Sequence, residues 1–282
     1  MNAHSLAVVN PGVSIAGDAT IGPFCVIEPD VVIGEGCVLE SMVVVKSGTT
    51  LGANNHVYEG AVLGGPPQHV HMPAHPGRVT IGSGNTIREF VTIHRALEED
   101  KSTIIGDNNL LMANVHVAHD CRIGDNVILT NNAMLAGHVR VEDRAYLSAV
   151  VGVHQFCRVG ALAMIGGHAR VTKDVPPFVT IDGHSSLVVG LNVVGLRRAR
   201  YSSPDIQQIK DAYRLIYRSG LLWSEMIKQL QAEFSAGPAA RFHAFLSATT
   251  RGIVAERRLP PGATIKLHRD DDDSSELRSA VG

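Results

Sequence analysis

Residues 105–141, written in sixes, read IGDNNL LMANVH VAHDCR IGDNVI LTNNAM LAGHVR V, and an aliphatic residue opens every six. An α-helix would repeat apolar residues at intervals of three and four, and an isolated amphipathic strand at intervals of two. A strict interval of six fits neither pattern. It is typical of a solenoid in which each repeat supplies one short strand and one turn.

The same interval extends over most of the chain. Aliphatic residues occupy every sixth position from 9 to 63, again from 81 to 93, and then from 105 to 171. Four positions after many of these anchors stands a small or β-branched residue, and this second column includes all four cysteines: Cys25, Cys37, Cys121 and Cys157. We therefore expect a thin, regular core in which the cysteines are ordinary packing residues.

Three repeats of six should complete one coil of a triangular prism. Residues 18 apart in sequence then stack on one face at the strand spacing of about 4.8 Å. This pattern predicts an all-β fold, a parallel β-helix over residues 1–190. The rhythm lapses twice, and these lapses predict loops near 64–80 and 95–103.

A helical spacing of apolar residues begins after residue 200, with Ser203 as the expected N-cap and Gly220 as the stop signal. We therefore expect a small C-terminal α-helical domain over residues 191–254. Residues 255–282 include the run Asp270 to Asp273, and we expect them to form a disordered acidic tail.

Composition excludes several functional classes. Aromatic residues make up only 5% of the chain, which is few for a sandwich or barrel core, and the formal net charge is −2. No extended basic field favours nucleic acid, and no apolar stretch approaches the ~20 residues that a membrane span needs. The N-terminus lacks the pattern of a secretion signal, so we expect a cytoplasmic protein.

The densest chemistry lies in residues 114–121, which read NVHVAHDC. The 18-residue spacing places Gly137 over His119 and His138 over Asp120. An imidazole could take the proton of a sugar hydroxyl, Asp120 could orient that imidazole, and a backbone N–H beside Gly137 could approach an oxyanion. Exposed polar residues on turns, or a zinc site built on His-x-x-His, are the alternatives that spacing alone leaves open.

Longer motifs resemble one family. The repeat is similar to that of the hexapeptide-repeat transferases. The combined stretches, which cover about residues 8–254, resemble the UDP-N-acetylglucosamine O-acyltransferases of lipid A synthesis. The motifs that carry the resemblance are 116–121 (HVAHDC), 131–139 (NNAMLAGHV), 153–157 (VHQFC), 174–177 (DVPP), 213–220 (YRLIYRSG) and 250–252 (TRG).

The resemblance implies a left-handed β-helix, a homotrimer with sites between neighbouring prisms, and no cofactor or metal. It implies transfer of a 3-hydroxyacyl chain from acyl carrier protein to the 3-hydroxyl of UDP-N-acetylglucosamine. His119 would be the general base, Asp120 its partner and Gly137 the oxyanion donor. The implied substrate-binding residues are His71, His116, His138, His154, Gln155, Gly167, Asn192 and Arg198.

Four residues depart from the family pattern. His71 stands where a lysine is usual, Val194 where a carboxylate is usual, Ala199 replaces an arginine, and Ser185 replaces a histidine. Two alternatives therefore stay open: acyl transfer to a UDP-3-amino sugar, and a degenerate non-catalytic trimer. Arg197, Arg198 and Arg200 are also candidates for contact with the acidic carrier protein.

Overall fold

The computed structural model describes residues 2–257 of the chain. Of the expected acidic tail, all but the first three residues lie outside this described part. Within it, short parallel strands form three sheets, which are the three faces of a prism. Each coil contributes one strand to each face.

We name the faces by their strands. Face 1 has eleven strands: Asn2–Ala3, Thr20–Ile21, Val38–Leu39, His56–Val57, Thr86–Ile87, Leu110–Leu111, Ile128–Leu129, Tyr146–Leu147, Met164–Ile165, Val179–Ile181 and Val188–Leu191. Face 2 has nine: Val8–Val9, Val26–Ile27, Val44–Val45, Val62–Gly65, Thr92–His94, His116–Val117, Met134–Leu135, Gly152–Val153 and Arg170–Val171. Face 3 has eight: Ser14–Ile15, Val32–Ile33, Thr49–Leu51, Arg78–Ile81, Ser102–Ile105, Arg122–Ile123, Arg140–Val141 and Arg158–Val159.

The strands pair in the register that the 18-residue spacing predicts. His116 pairs with Met134, which in turn pairs with Gly152. In each strand of this stretch the second residue points inward and is buried, as the anchor pattern requires. All four cysteines are buried and free, so the prediction that they pack in the core is confirmed.

The chain leaves the prism twice on the way up. The longer excursion runs between the strands Val62–Gly65 and Arg78–Ile81, and the shorter one between Thr92–His94 and Ser102–Ile105. The prism ends with Val188–Leu191, the one strand that pairs antiparallel, against Val179–Ile181.

Four helices follow the last strand: α1 (Val193–Arg198), α2 (Ser203–Arg218), α3 (Trp223–Glu233) and α4 (Ala240–Ser247). The predicted N-cap at Ser203 is wrong by one residue. Ser202 caps α2, and it forms a reciprocal capping box with Asp205. No helix in residues 2–257 has the length and apolar character to cross a membrane.

A buried carboxylate fastens the helical part to the prism. Asp174 accepts hydrogen bonds from the backbone N–H of Arg158 at 2.9 Å and from the hydroxyl of Thr249 at 2.5 Å. Phe178, at the end of the prism, and Phe242 of α4 pack in one apolar cluster with their ring centroids 5.5 Å apart. The helices are therefore held close to the last coils of the prism, near the candidate catalytic residues.

Candidate active site

The candidate catalytic residues lie on the edge between faces 2 and 3. A cavity of about 550 Å³ opens beside this edge on face 2. We call it the dyad cavity. It is lined by residues that include Gln68, His69, His116, His119, Met134, Gly137, Gly152, His154, Gln155 and Arg170.

His119 and Asp120 are hydrogen-bonded to each other. Nδ1 of His119 lies 2.9 Å from Oδ2 of Asp120, and His119 is buried. Because a carboxylate only accepts, Nδ1 carries the proton of this hydrogen bond. Nε2 is then left with a lone pair that can accept a proton, which is what a general base requires.

The backbone around Asp120 fixes the carboxylate. Asp120 has a positive φ of 60°, and its own N–H donates to the hydroxyl of Thr103 at 2.8 Å. Its Oδ2 also accepts the N–H of Leu97 at 3.1 Å. Leu97 belongs to the shorter excursion from the prism, so that loop helps to orient the dyad.

Gly137 lies one coil above His119, where the sequence spacing puts it. A Cβ at this position would collide with Cε1 of the His119 ring and would lie 2.6 Å from Nε2. The absence of a side chain therefore lets the imidazole lie against the backbone. Within residues 2–257 the Gly137 N–H makes no hydrogen bond, so it can donate to a developing oxyanion.

His138 lies beside the dyad and completes the edge. Its Nε2 is 3.9 Å from Oδ2 of Asp120, and its ring is edge-on to that of His119, with centroids 5.1 Å apart. The Phe156 ring stacks on its other side at 4.6 Å. Burial lowers the pKa of His138 more than the nearby Asp120 raises it.

His116 lines the same cavity on the strand that precedes the dyad. Its Nδ1 is 2.9 Å from the hydroxyl of Thr92, and behind it the His94 ring lies 5.0 Å away. Burial lowers the pKa of both imidazoles, and each ring lies close to another imidazole. Both effects favour the neutral form of these imidazoles.

His154 and Gln155 line the cavity at its upper end. Arg251, from the segment after α4, donates from its guanidinium to Nδ1 of His154 at 3.3 Å and to the carbonyl of Thr172 at 3.3 Å. The helical part thus contacts the cavity directly. Sequence reasoning did not predict this contact.

The proline-rich excursion brings His69 to the site. The His69 ring is edge-on to that of His119, with centroids 5.5 Å apart, and His69 lines the dyad cavity. His71, which the sequence favoured, is exposed and lies outside this cavity; its N–H donates to Nδ1 of His69 at 3.1 Å. In this chain His69 contacts the His119 ring, and the backbone of His71 is hydrogen-bonded to His69.

Asn192 and Arg198 lie on a different face. With Tyr146, Met164 and Val194 they line a second cavity of about 520 Å³ between face 1 and α1, which we call the helix cavity. Both ends of the Asn192 amide are engaged: Oδ1 caps α1 by accepting the N–H of Gly195, and Nδ2 donates to the carbonyl of Leu162. Asn192 therefore shapes this cavity by fixing α1.

The remaining predicted positions lie near these surfaces. Gly167 is on the edge between faces 1 and 2 and lines neither cavity; a Cβ there would be 3.3 Å from the carbonyl oxygen of Ala149. Ala199 lines the helix cavity next to the exposed Val194. The Ser185 hydroxyl donates to Asp182 at 2.7 Å.

Within residues 2–257, His119, Asp120 and His138 form the one group of side chains placed so that they could hold a metal ion. One ligand atom from each lies within 4.8 Å of the others. Coordination through Nδ1 of His119 would displace the proton that it shares with Asp120. The hydrogen-bonded geometry suits the metal-free dyad better, and elemental analysis of the purified protein tests this.

Comparison with known proteins gives consistent matches. The model of the family described as "Udp N-acetylglucosamine O-acyltransferase; Domain 2" matches residues 174–254, and that of the bacterial transferase hexapeptide repeats matches 12–47 and 102–137. The acyl-[acyl-carrier-protein]–UDP-N-acetylglucosamine O-acyltransferase of Janthinobacterium sp. (strain Marseille) is 45% identical over 257 residues, covering 89% of this chain and 98% of the relative. The enzyme of the same name from Halorhodospira halophila is 47% identical over 219 residues, 77% and 85% of the two chains.

Solved structures agree in fold. The crystal structure of UDP-N-acetylglucosamine O-acyltransferase from Moraxella catarrhalis superimposes with a TM-score of 0.87 at 37% identity, and the match covers 90% of this chain and all of that one. The predicted fold class, a left-handed parallel β-helix followed by a small helical part, is confirmed.

Proposed function

This chain belongs to the acyl-[acyl-carrier-protein]–UDP-N-acetylglucosamine O-acyltransferase family and is an acyltransferase, and we propose that His119 is the general base of its transfer reaction. The reaction moves a 3-hydroxyacyl chain from acyl carrier protein to the 3-hydroxyl of UDP-N-acetylglucosamine, the first step of lipid A synthesis. The observation that carries the role of His119 is the dyad itself. His119 and Asp120 are hydrogen-bonded at 2.9 Å. His119 and Gly137, whose N–H makes no hydrogen bond within residues 2–257, line the dyad cavity, and Asp120 lines a groove on the other side of the same edge.

In the proposed reaction, Nε2 of His119 takes the proton of the sugar hydroxyl as its oxygen attacks the thioester carbonyl carbon. The new C–O bond forms, and the carbonyl oxygen becomes an oxyanion that accepts the Gly137 N–H. Asp120 stabilises the imidazolium. Collapse of the intermediate breaks the C–S bond, and the imidazolium returns its proton to the carrier thiolate.

We propose that the enzyme works as a homotrimer in the cytoplasm. The dyad cavity lies on face 2 and the helix cavity on face 1, so one chain cannot bring His119 and Arg198 to one substrate. The outward residues of these faces are largely uncharged, for example Val26, Val44 and Leu110. Packing face 2 of one subunit near face 1 of the next would join the two cavities and bury these residues.

The test is a mass-spectrometric assay with the full chain, 3-hydroxyacyl carrier proteins of several chain lengths, and UDP-N-acetylglucosamine or its 3-amino analogue. We expect an ester product from the hydroxyl acceptor. A preference for the amino acceptor, with an amide product, would show that the altered helix cavity serves a different sugar. No product from any pair would contradict the proposed function.

A further inference from the structure

The outward residues of face 3 change character at the coils that carry the catalytic edge. From Ser14 to Ile104 every residue in this register column is uncharged. The next three, in direct register, are Arg122, Arg140 and Arg158. The hexapeptide repeat restricts the inward residues but not the outward ones. Like charges in register on neighbouring strands destabilise a sheet. This column of arginines therefore needs another explanation.

Among residues 2–257, an ion-pair partner is present only for the last of the three. Arg158 lies 3.2 Å from Glu142 and stacks over the Phe245 ring at 4.1 Å. Arg122 and Arg140 are exposed, and no partner within residues 2–257 forms a hydrogen bond or ion pair with either guanidinium.

A third arginine joins them from the helical part. Arg241 of α4 is exposed, and it lines a groove of about 450 Å³ together with Arg122 and Arg140. Two acidic residues also line this groove, but Glu142 is paired with Arg158 and Asp143 accepts the N–H of Asp125. The Arg241 guanidinium likewise has no hydrogen-bond or ion-pair partner among the described residues. We call Arg122, Arg140 and Arg241 the arginine face.

The arginine face adjoins the candidate active site from the side opposite to the dyad cavity. A groove of about 470 Å³ is lined by Arg122 and Arg140 and also by Asp120 and His138. A molecule bound on face 3 therefore lies beside the edge at which the acyl group would be transferred. Both cavities on the other two faces stay free.

We propose that the arginine face is the docking surface for the acidic side of the acyl carrier protein; this rests on the proposed function. The reaction needs room for a nucleotide sugar, an acyl chain and a carrier. The first two suit concave cavities, whereas a folded carrier needs an open surface of opposite charge. The largely uncharged faces 1 and 2 are occupied in the proposed trimer, so face 3 is the one left for it.

The test is a charge reversal with two donors. Arg122→Glu/Arg140→Glu should raise the KM for acyl carrier protein on the order of tenfold or more, since two exposed attractions become repulsions. The same acyl group on pantetheine, which lacks the acidic protein, should react at an unchanged rate. The KM for UDP-N-acetylglucosamine should also stay unchanged. Added salt should raise the wild-type KM for acyl carrier protein toward that of the variant, because it screens the exposed charges.

Two controls reverse charges elsewhere, and the double one matches the charge change of the test variant. Lys228→Glu reverses one exposed charge on α3, and Arg197→Glu/Arg200→Glu reverses two charges in and just after α1 that the sequence also allowed as a carrier contact. Neither should alter the KM for the carrier. A melting curve on each variant checks that it folds; the Arg122→Glu/Arg140→Glu variant exchanges one exposed like-charge pair for another, so its melting temperature should change little.

Three results would overturn the proposal. One is an unchanged carrier KM in the Arg122→Glu/Arg140→Glu variant. Another is a raised carrier KM only in the α1 variant. The third is a change in oligomeric mass by light scattering, which would make face 3 a subunit interface. Failure of the proposed function looks different: the wild type would acylate the sugar from neither donor, while carrier binding could still be measured by fluorescence anisotropy.

Discussion

Replacing Gly137 with alanine should disable the dyad while leaving the prism folded. The new Cβ would lie 2.6 Å from Nε2 and 3.0 Å from Nδ1 of His119, and closer still to Cε1. An ordinary carbon contact needs about 3.5 Å or more, so the ring must move by roughly 1 Å. Since the ring is hydrogen-bonded to Asp120 at 2.9 Å, such a shift breaks or bends that bond.

A displacement of about 1 Å at a reacting group costs on the order of 10²-fold in rate, or roughly 2.7 kcal/mol of transition-state stabilisation. The Gly137 N–H is retained, so the loss measures the position of the imidazole and not the oxyanion donor. The assay is kcat for sugar acylation by mass spectrometry, with a melting curve on the same sample. We expect a kcat lower by about 10²-fold.

The matched control is Gly17→Ala, since a Cβ there would meet no atom of residues 2–257 within 4 Å. It should leave both kcat and the melting temperature unchanged. A Gly137→Ala enzyme with a kcat within threefold of the wild type would refute the argument, because the imidazole would then tolerate the displacement.

Three further predictions concern the dyad and the fold. Asp120→Asn should lower kcat by about 10²-fold or more, since an amide no longer holds the proton on Nδ1 of His119; rates near wild type in the acylation assay would count against this. Ser202→Ala should cost about 1 kcal/mol and lower the melting temperature by about 2 °C with kcat unchanged, because it removes the cap of α2; an equal melting temperature would show that the cap contributes nothing. Because burial lowers the pKa of His94 and His116, the folded state binds protons less readily than the unfolded chain, so stability should fall as the pH drops below about 6.5. Melting curves at pH 7.5 and 5.5 test this: a His94→Asn/His116→Asn variant should lose less stability over that range than the wild type, and an equal loss would contradict it.

The repeat in the sequence was enough to predict which residues stack on one another along the prism. The spacing of 18 residues put Gly137 over His119 and His138 over Asp120, and the structure has these residues in contact. It worked because the coils that carry these residues each have 18 residues, so sequence distance converts directly into position there. The reason for glycine at 137 could not be read this way, since it depends on which way the His119 ring points.

Outside the repeat, sequence distance no longer predicts position in the structure. The longer excursion has no periodicity, so nothing in the sequence showed that His69, and not His71, would lie over the dyad. The helix α1 is only six residues long, too short for a helical pattern to be recognised, and the role of Asn192 as its N-cap was therefore hidden. The contact of Arg251 with His154 joins positions 97 residues apart in sequence, which only tertiary packing can bring together.

The most direct test of the central claim is the rate of acyl transfer by His119→Ala, measured beside His243→Ala, a partly exposed histidine of α4, as a control. We predict a loss of at least about 10²-fold in kcat with a folded protein of unchanged oligomeric mass, because the proton acceptor is removed while the repeat that forms the prism is kept. The control should keep its full rate. If His119→Ala retained more than a tenth of the wild-type kcat, another group would be the base, and the assignment of this dyad would be contradicted.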